Sequence, residues 1–194
     1  MNEFLLPLLK WVGGKRQLLP ELTAKMPRTF NTYFEPFIGG GAMLFELHPE
    51  KAVIGDINGE LINFYNAVKN NVEPLLKLLF TYQNTKEFFL DKRNIDRDPE
   101  KFNLLTSIEK AARTYYLNRT CFNGLYRVNK KGFFNVPFGK YSNPTICDPE
   151  TIRKDSELLQ LKILFVVSFT SSHEEVFSSI FCFNSQIRIL YIPQ

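Results

Sequence analysis

"YFEPFIGGGAMLFEL", residues 33–47, sets three consecutive glycines between an aromatic-rich run and an amphipathic one. Phe34, Phe37 and Ile38 read as a short buried strand, and Ala42, Leu44, Phe45 and Leu47 as the first turns of a helix. Gly39, Gly40 and Gly41 permit positive φ and let another group come close to the main chain. A glycine turn feeding a helix N-terminus is a common cradle for nucleotide-like ligands; the competing reading is a tight packed turn. "GGGAML" lacks the third glycine of a G-x-G-x-x-G fingerprint, and Met43 and Leu44 follow instead. A dinucleotide is therefore disfavoured, while an adenosine ligand without a pyrophosphate stays open.

On the C-terminal side, "KAVIGDIN" reads as a second strand, with a further helix after Asn58. Residues 1–65 thus follow the order strand, glycine turn, helix, strand, which is half of a doubly wound α/β sheet. Asp56 stands at the expected carboxyl end of the second strand, where a carboxylate accepts hydrogen bonds from ribose hydroxyls. Asp56 equally suits a helix N-cap, since Asn58 and Glu60 follow it into the helix. On the N-terminal side, "KWVGGKRQLL", residues 10–19, holds a second glycine pair between an indole and two cations. Trp11 and Lys15 fit the methionine end of a ligand, Lys15 pairing its carboxylate, or else a solvated turn at a helix start.

Residues 66–148 change character. "INFYNAVKN", "EPLLKLLFTYQ" and "IEKAARTYYLNRT" carry helical periodicity, and "DKRNIDRDPEKFN" reads as a charged connector between the last two. Residues 119–143 interleave aromatics and cations with glycines at 124, 132 and 139. Within them "VNKKGFFNV" has the pattern of a β-hairpin with Lys130, Lys131 and Gly132 at its turn. Arg119 and Arg127 suit paired hydrogen bonds to guanine, Asn123 and Asn129 suit adenine or phosphate, and Phe122 and Tyr126 suit stacking. Lys130 and Lys131 suit phosphates whatever the base sequence. The alternative is an ordinary polar loop with a solvated basic tip. Residues 149–194 return to the core through the apolar run "LKILFVVSF".

The bulk properties agree with a globular chain. Its 194 residues are 44% hydrophobic and 14% aromatic, enough for one core carrying an inserted subdomain. A net charge of +4 permits an anionic partner without requiring one. No apolar stretch reaches membrane-spanning length, and the N-terminus lacks a secretory pattern, so a cytoplasmic location is expected. Cys121, Cys147 and Cys182 are widely spaced, without metal-ligand pairing, and are expected to be free thiols; no metal is expected. His48 and His173 have no ligand-like companions and read as surface residues.

Taken together, "KWVGGKRQLLPEL", "YFEPFIGGGAMLFEL", "AVIGDINGELINFYNAVK" and "LNRTCFNGLYRVNKKGFFNVPFGKYSNP" resemble the Dam-type, D12 class adenine-N6 DNA methyltransferases. These pieces cover most of residues 8–148 in family order. The resemblance implies a Rossmann-like, S-adenosylmethionine-binding core interrupted by a helical and β-hairpin DNA-recognition domain. It carries cofactor contacts onto Trp11, Lys15 and Asp56, with Glu35, Phe37 and the Gly39–Gly41 loop lining the site. It carries DNA contacts onto Asn123, Leu125 and Arg127 and the hairpin that follows. Its implied partner is duplex DNA, with GATC as the candidate sequence. A restriction endonuclease of the same system is an implied companion, without physical contact.

One part of the family pattern is missing. The chemistry needs an Asp-Pro-Pro-Tyr strand end, whose carboxylate and proline carbonyl accept the N6 hydrogens of a flipped adenine while the aromatic stacks on it. No such motif occurs in these 194 residues, and Val167 stands where relatives commonly carry an acid. Residues 163–194 contain only Glu174, Glu175 and Arg188 as charged groups, which fits either a buried strand-helix-strand or an altered reading frame. The expectation is an adenine-N6 methyltransferase by descent, its core incomplete at the C-terminus and without its catalytic motif. The alternative is a DNA- or cofactor-binding fragment without catalysis. A nicotinamide-dependent oxidoreductase fails on the absent third glycine.

Overall fold

The computed structural model describes residues 7–11 and 15–168, with side chains described for all of these except Lys15 and 162–168. Expectations on residues 169–194, among them those for His173, Cys182 and most of the stretch read as a buried strand-helix-strand or an altered frame, lie outside the described residues.

Pro36 decides where the first strand stops. It has no N–H for a ladder, and β1, Tyr33–Glu35, closes just before it. β1 runs parallel to β2, Ala52–Asp56, with Tyr33 opposite Ala52 and Glu35 opposite Ile54. One bond from Ile38 N to Gly55 O, at 2.9 Å, extends the pairing past the proline. The strand is therefore shorter than the run Phe34–Ile38 predicts. Ile38 is buried, but Phe37 is turned outward and is 52% exposed.

α2, Ala42–Leu47, links the two strands and buries Met43, Leu44 and Phe45. After β2 comes α3, Gly59–Asn70, whose first turn is capped by Asn58: its side-chain oxygen accepts from the amides of Glu60 and Leu61. The cap is thus Asn58 and not Asp56. β3, Ile163–Ser168, lies parallel on the other side of β2, reached through α8, Pro149–Lys162. The described sheet has the order β1-β2-β3, all parallel, as crossover helices require. Gly55 is level with Val167, so the position expected to carry an acid sits at the carboxyl end of the sheet.

Between β2 and β3 the chain makes α4, Val72–Leu79; α5, Lys86–Asn94; α6, Pro99–Leu104; and α7, Ser107–Thr120. A short α1, Leu19–Lys25, precedes the sheet. The stretch 91–103, expected as a connector, is mostly helical. Local caps explain it: Thr85 accepts from Phe88 N, and Asp98 accepts from Lys101 N with Pro99 opening the turn. α7 starts with a full capping box, Thr106 and Glu109 each accepting from the other's backbone amide.

The inserted helices share a core with the sheet. Phe64 of α3 stacks on Tyr115 of α7 at 5.6 Å, and both are buried. Ile54, Leu61, Leu75, Ala111 and Leu159 join the same cluster. The expected division at residue 65/66 falls in the middle of α3. A second, smaller cluster of Phe89, Tyr116, Leu117, Phe134 and Val136 lies under the hairpin region. No described helix is long and apolar enough to cross a membrane.

Candidate functional site

The glycine loop leaves β1 and is pinned at once to the end of β2. Gly39 N donates to Asp56 Oδ2 at 3.0 Å, and Asn58 N donates to Asp56 Oδ1 at 3.0 Å. Asp56 is buried, yet among the described residues each oxygen accepts only one of these bonds and keeps a lone-pair direction for another donor. Gly39 and Gly41 have φ of +52° and +78°, the left-handed region that disfavours side chains. Space is as restrictive as torsion. A Cβ on Gly41 would meet Phe45 at 2.7 Å and the Tyr65 hydroxyl at 2.8 Å; one on Gly40 would meet the Leu9 carbonyl at 2.9 Å. The bare backbone therefore already serves the protein's own packing, which the ligand reading of the loop does not foresee.

Two aromatic side chains complete the underside. Tyr65 donates to the Gly39 carbonyl at 3.0 Å, and burial pushes its phenol well above the ordinary range. Trp11 lies against Gly39 and stacks on Tyr126, ring centres 5.0 Å apart and planes 22° apart. Tyr126 is half-buried between Trp11 and Phe134, and Asn58 hydrogen bonds its hydroxyl. The stacking partner of Tyr126 in the free protein is thus an indole rather than a base. Glu35 is buried beside the loop. Burial first, and the Glu35 carboxylate second, raise the Tyr33 phenol. Phe37 and Ile57, the residues that flank this site after β1 and β2, remain 52% and 63% exposed. Lys15 opens a 3-10 turn, Lys15–Leu18.

Asn118 ties this site to the insertion. Its Oδ1 accepts from Lys10 N at 2.9 Å, while its Nδ2 donates to Lys10 O at 2.8 Å and to Gly124 O at 2.9 Å. One buried amide side chain thus fixes the segment before Trp11 and the turn at Gly124 together. Asn118 lies inside the motif that starts at Leu117, yet motif and spacing give it no role. An amide in an otherwise apolar and aromatic helical stretch, "YYLN", is the signal that marks it.

The hairpin forms as its pattern predicts. Val128 and Phe134 face each other in an antiparallel bridge, flanked by Asn129 N to Phe133 O at 2.9 Å and Asn135 N to Arg127 O at 3.1 Å. Asn129 Oδ1 accepts from Lys131 N and Phe133 N, so its side chain builds the turn. Lys130 and Lys131 stand exposed at the tip. Arg127 is exposed, with Nε on Asn135 Oδ1 at 2.8 Å. Asn123 is exposed and left-handed at φ +55°, a conformation asparagine tolerates. The Leu125 carbonyl accepts from the Cys121 thiol, and burial pushes that thiol up to about 11. Arg119 does not join this group: Nε donates to Thr145 O at 3.0 Å and its guanidinium lies over Tyr115.

Behind the hairpin sits a charge cluster built on the stretch expected as a connector, with Arg113 buried, Asp96 half-buried and Arg97 exposed. Asp96 Oδ2 accepts from Arg113 Nη2 and from Phe134 N, both at 2.7 Å, and its Oδ1 from Arg97 Nη1 at 2.8 Å. Arg97 Nη2 donates to Phe134 O at 3.0 Å. Nearby, Glu60 accepts from the Thr114 hydroxyl, and burial raises its carboxyl. A different carboxylate, Asp155 of α8, is buried with no hydrogen-bond partner on either oxygen among the described residues; burial and then Asp148 push it up to about 8.

The model of the D12 class N6 adenine-specific DNA methyltransferases matches residues 11–179. Type II methyltransferase M1.LlaDCHI of Lactococcus lactis subsp. cremoris is 52% identical over 164 residues, covering 84% of this chain and 57% of that protein. Type II methyltransferase M.MjaIII of Methanocaldococcus jannaschii is 41% identical, covering 81% of this chain and 61% of its own length. A DNA adenine methylase of Haemophilus influenzae is 40% identical, covering 70% and 47% respectively. The chain spans about half the length of the curated relatives it matches.

Proposed function

Because the chain belongs to the D12 class N6 adenine-specific DNA methyltransferase family, we propose that it forms the cofactor-binding and DNA-reading part of a site-specific adenine methyltransferase. In this reading the three parallel strands are one side of a Rossmann-like sheet. S-adenosylmethionine binds at their carboxyl ends, and residues 119–143 face duplex DNA. The observation that carries it is Asp56, a buried carboxylate at the strand end with an acceptor direction left on each oxygen.

The residues fit that cofactor. Asp56 offers a vicinal diol two charged acceptors, and exposed Phe37 and Ile57 offer apolar cover to a purine. Trp11 and Lys15 stand at the methionine end, while Glu35 and the Gly39–Gly41 loop line the middle. When bound, the cofactor supplies an electrophilic methyl on sulfur. The loop's contribution is placement, since a rigid main chain fixed by Asp56 and Tyr65 needs little reorganisation on binding. Asn123, Leu125 and Arg127 face base edges; Lys130 and Lys131 hold phosphates and set affinity rather than sequence. Arg119 and Asn129 support this surface through the contacts they make within the protein. A restriction endonuclease acting on the same sequence is the companion expected, with no physical contact.

A second reading has its own support. These residues contain no Asp-Pro-Pro-Tyr, so nothing in them provides the acceptor pair for adenine N6. The chain alone then binds cofactor and DNA without transferring the methyl group. One experiment separates the readings: labelled S-adenosylmethionine with a GATC duplex, followed for binding and for label on the DNA. Cofactor binding that weakens roughly tenfold or more in Asp56→Asn is expected, because charge-assisted bonds to the diol are lost. Equal binding by both proteins would refute the cofactor site, and label on DNA would refute the second reading.

A further inference from the structure

We infer that Asp96 and Arg97 are positioning residues for DNA readout, clamping the outer edge of the recognition hairpin to the helical insertion. The inference rests on the assignment of the hairpin to DNA.

A two-stranded hairpin by itself is marginally stable in water. Here Val128 and Phe134 form the bridge, but the ladder bonds belong to their neighbours, Asn129 with Phe133 and Asn135 with Arg127. The N–H and C=O of Phe134 therefore point away from Val128, as alternate residues of an antiparallel pair must. In an ordinary sheet a third strand would take them. Here two side chains do: Asp96 accepts the N–H at 2.7 Å and Arg97 donates to the C=O at 3.0 Å.

The clamp is itself held. Arg113, 5% exposed, pairs with Asp96 and also donates to the carbonyls of Lys92 and Arg93 at the end of α5. Arg97 adds a bond to Arg93 O at 2.9 Å. The Phe134 side chain packs edge-on against Tyr126, which stacks on Trp11. One residue beyond the clamp is Asn135, whose side chain accepts from Arg127. The height and tilt of Arg127 over a base edge thus follow from where Phe134 is fixed, and an error near 1 Å is enough to spoil a two-point hydrogen bond.

Removing the carbonyl half of the clamp without the Asp96–Arg113 pair behind it gives the test. Arg97→Ala removes the carbonyl clamp but leaves the Asp96–Arg113 pair, so the fold is retained; Arg97→Lys keeps a donor. In the full 194-residue chain, affinity for a duplex obtained by binding-site selection is compared with that for a scrambled duplex. The selectivity ratio should fall roughly tenfold in Arg97→Ala, while affinity for the scrambled duplex and its salt slope stay unchanged, and Arg97→Lys should recover part of the ratio. A purely structural role would lower both affinities together. Amide exchange gives a readout without DNA: Asn129 and Asn135 should exchange faster in Arg97→Ala, with α7 amides unaltered. If wild type shows no selectivity, the DNA assignment fails and exchange alone judges the clamp. Unchanged exchange at Asn129 and Asn135, or full selectivity in Arg97→Ala where Arg127→Ala has lost it, would overturn the inference.

Discussion

The glycine loop after β1 and the hairpin after α7 are each organised around an aspartate, buried in the loop and half-buried behind the hairpin, but in opposite ways. Asp56 is satisfied by two backbone amides of its own neighbourhood, Gly39 and Asn58. Asp96 is satisfied by two guanidinium groups and by a backbone amide 38 residues away. The loop is then closed by apolar and phenolic packing that leaves no room for a Cβ. The hairpin has an open, basic tip and is held at its base by charge. A site built the first way is shaped before its ligand arrives. One built the second way is anchored at one end and free at the other, which suits a surface that must settle onto an irregular partner.

The sharpest way to break this contrast is to give the loop a side chain. Gly41→Ala introduces a Cβ at φ +78° facing Phe45 at 2.7 Å and the Tyr65 hydroxyl at 2.8 Å. Torsional and overpacking costs together should lower stability by roughly 2–4 kcal/mol. Chemical denaturation measures it. A midpoint equal to wild type would mean that the loop is no more constrained than the hairpin.

Much of this contrast is legible in the amino-acid sequence. The glycine run, Asp56 and the hairpin turn announce themselves because each depends on local chemistry: φ, a strand end, a tight turn. Phe37 is misread as buried because the stop at Pro36 changes which face the following residue takes. The stretch 91–103 is misread as a connector because its charges are paired through space, with Arg113 and Phe134, and no periodicity records that. Asn118 and Tyr65 escape for the same reason, since their partners lie far along the chain. Long-range hydrogen bonding is what composition and spacing cannot carry.

Asp155 sharpens the comparison of paired aspartates by being neither kind. Among the described residues it is buried without a hydrogen-bond partner, and burial and then Asp148 push its carboxyl up to about 8. An exposed aspartate ionises near 3.9. Between those values the unfolded chain has released a proton that the folded one retains, so stability should fall as pH rises from about 4 to about 8 and then level off. The loss across that window should flatten in Asp155→Asn. Denaturation midpoints at several pH values check it. A slope identical in wild type and variant would assign the pH dependence elsewhere.

The smallest expected effect lies at the hairpin tip. Lys130 is exposed and the turn beside it is made by Asn129 and the backbone, so Lys130→Ala removes charge without removing structure. Stability should stay within about 0.5 kcal/mol of wild type. Binding to duplex DNA should weaken by a similar factor for every sequence, and the salt slope of binding should drop by roughly one unit, as loss of one phosphate contact requires. The measurement is a salt titration of affinity on a selected and a scrambled duplex. Loss of selectivity in Lys130→Ala would place base reading at the tip and undo the separation between an anchored reading base and a free phosphate-seeking end. Equal weakening on both duplexes would leave sequence reading with Arg127 and Asn123, close to the clamped end of the hairpin where position is fixed.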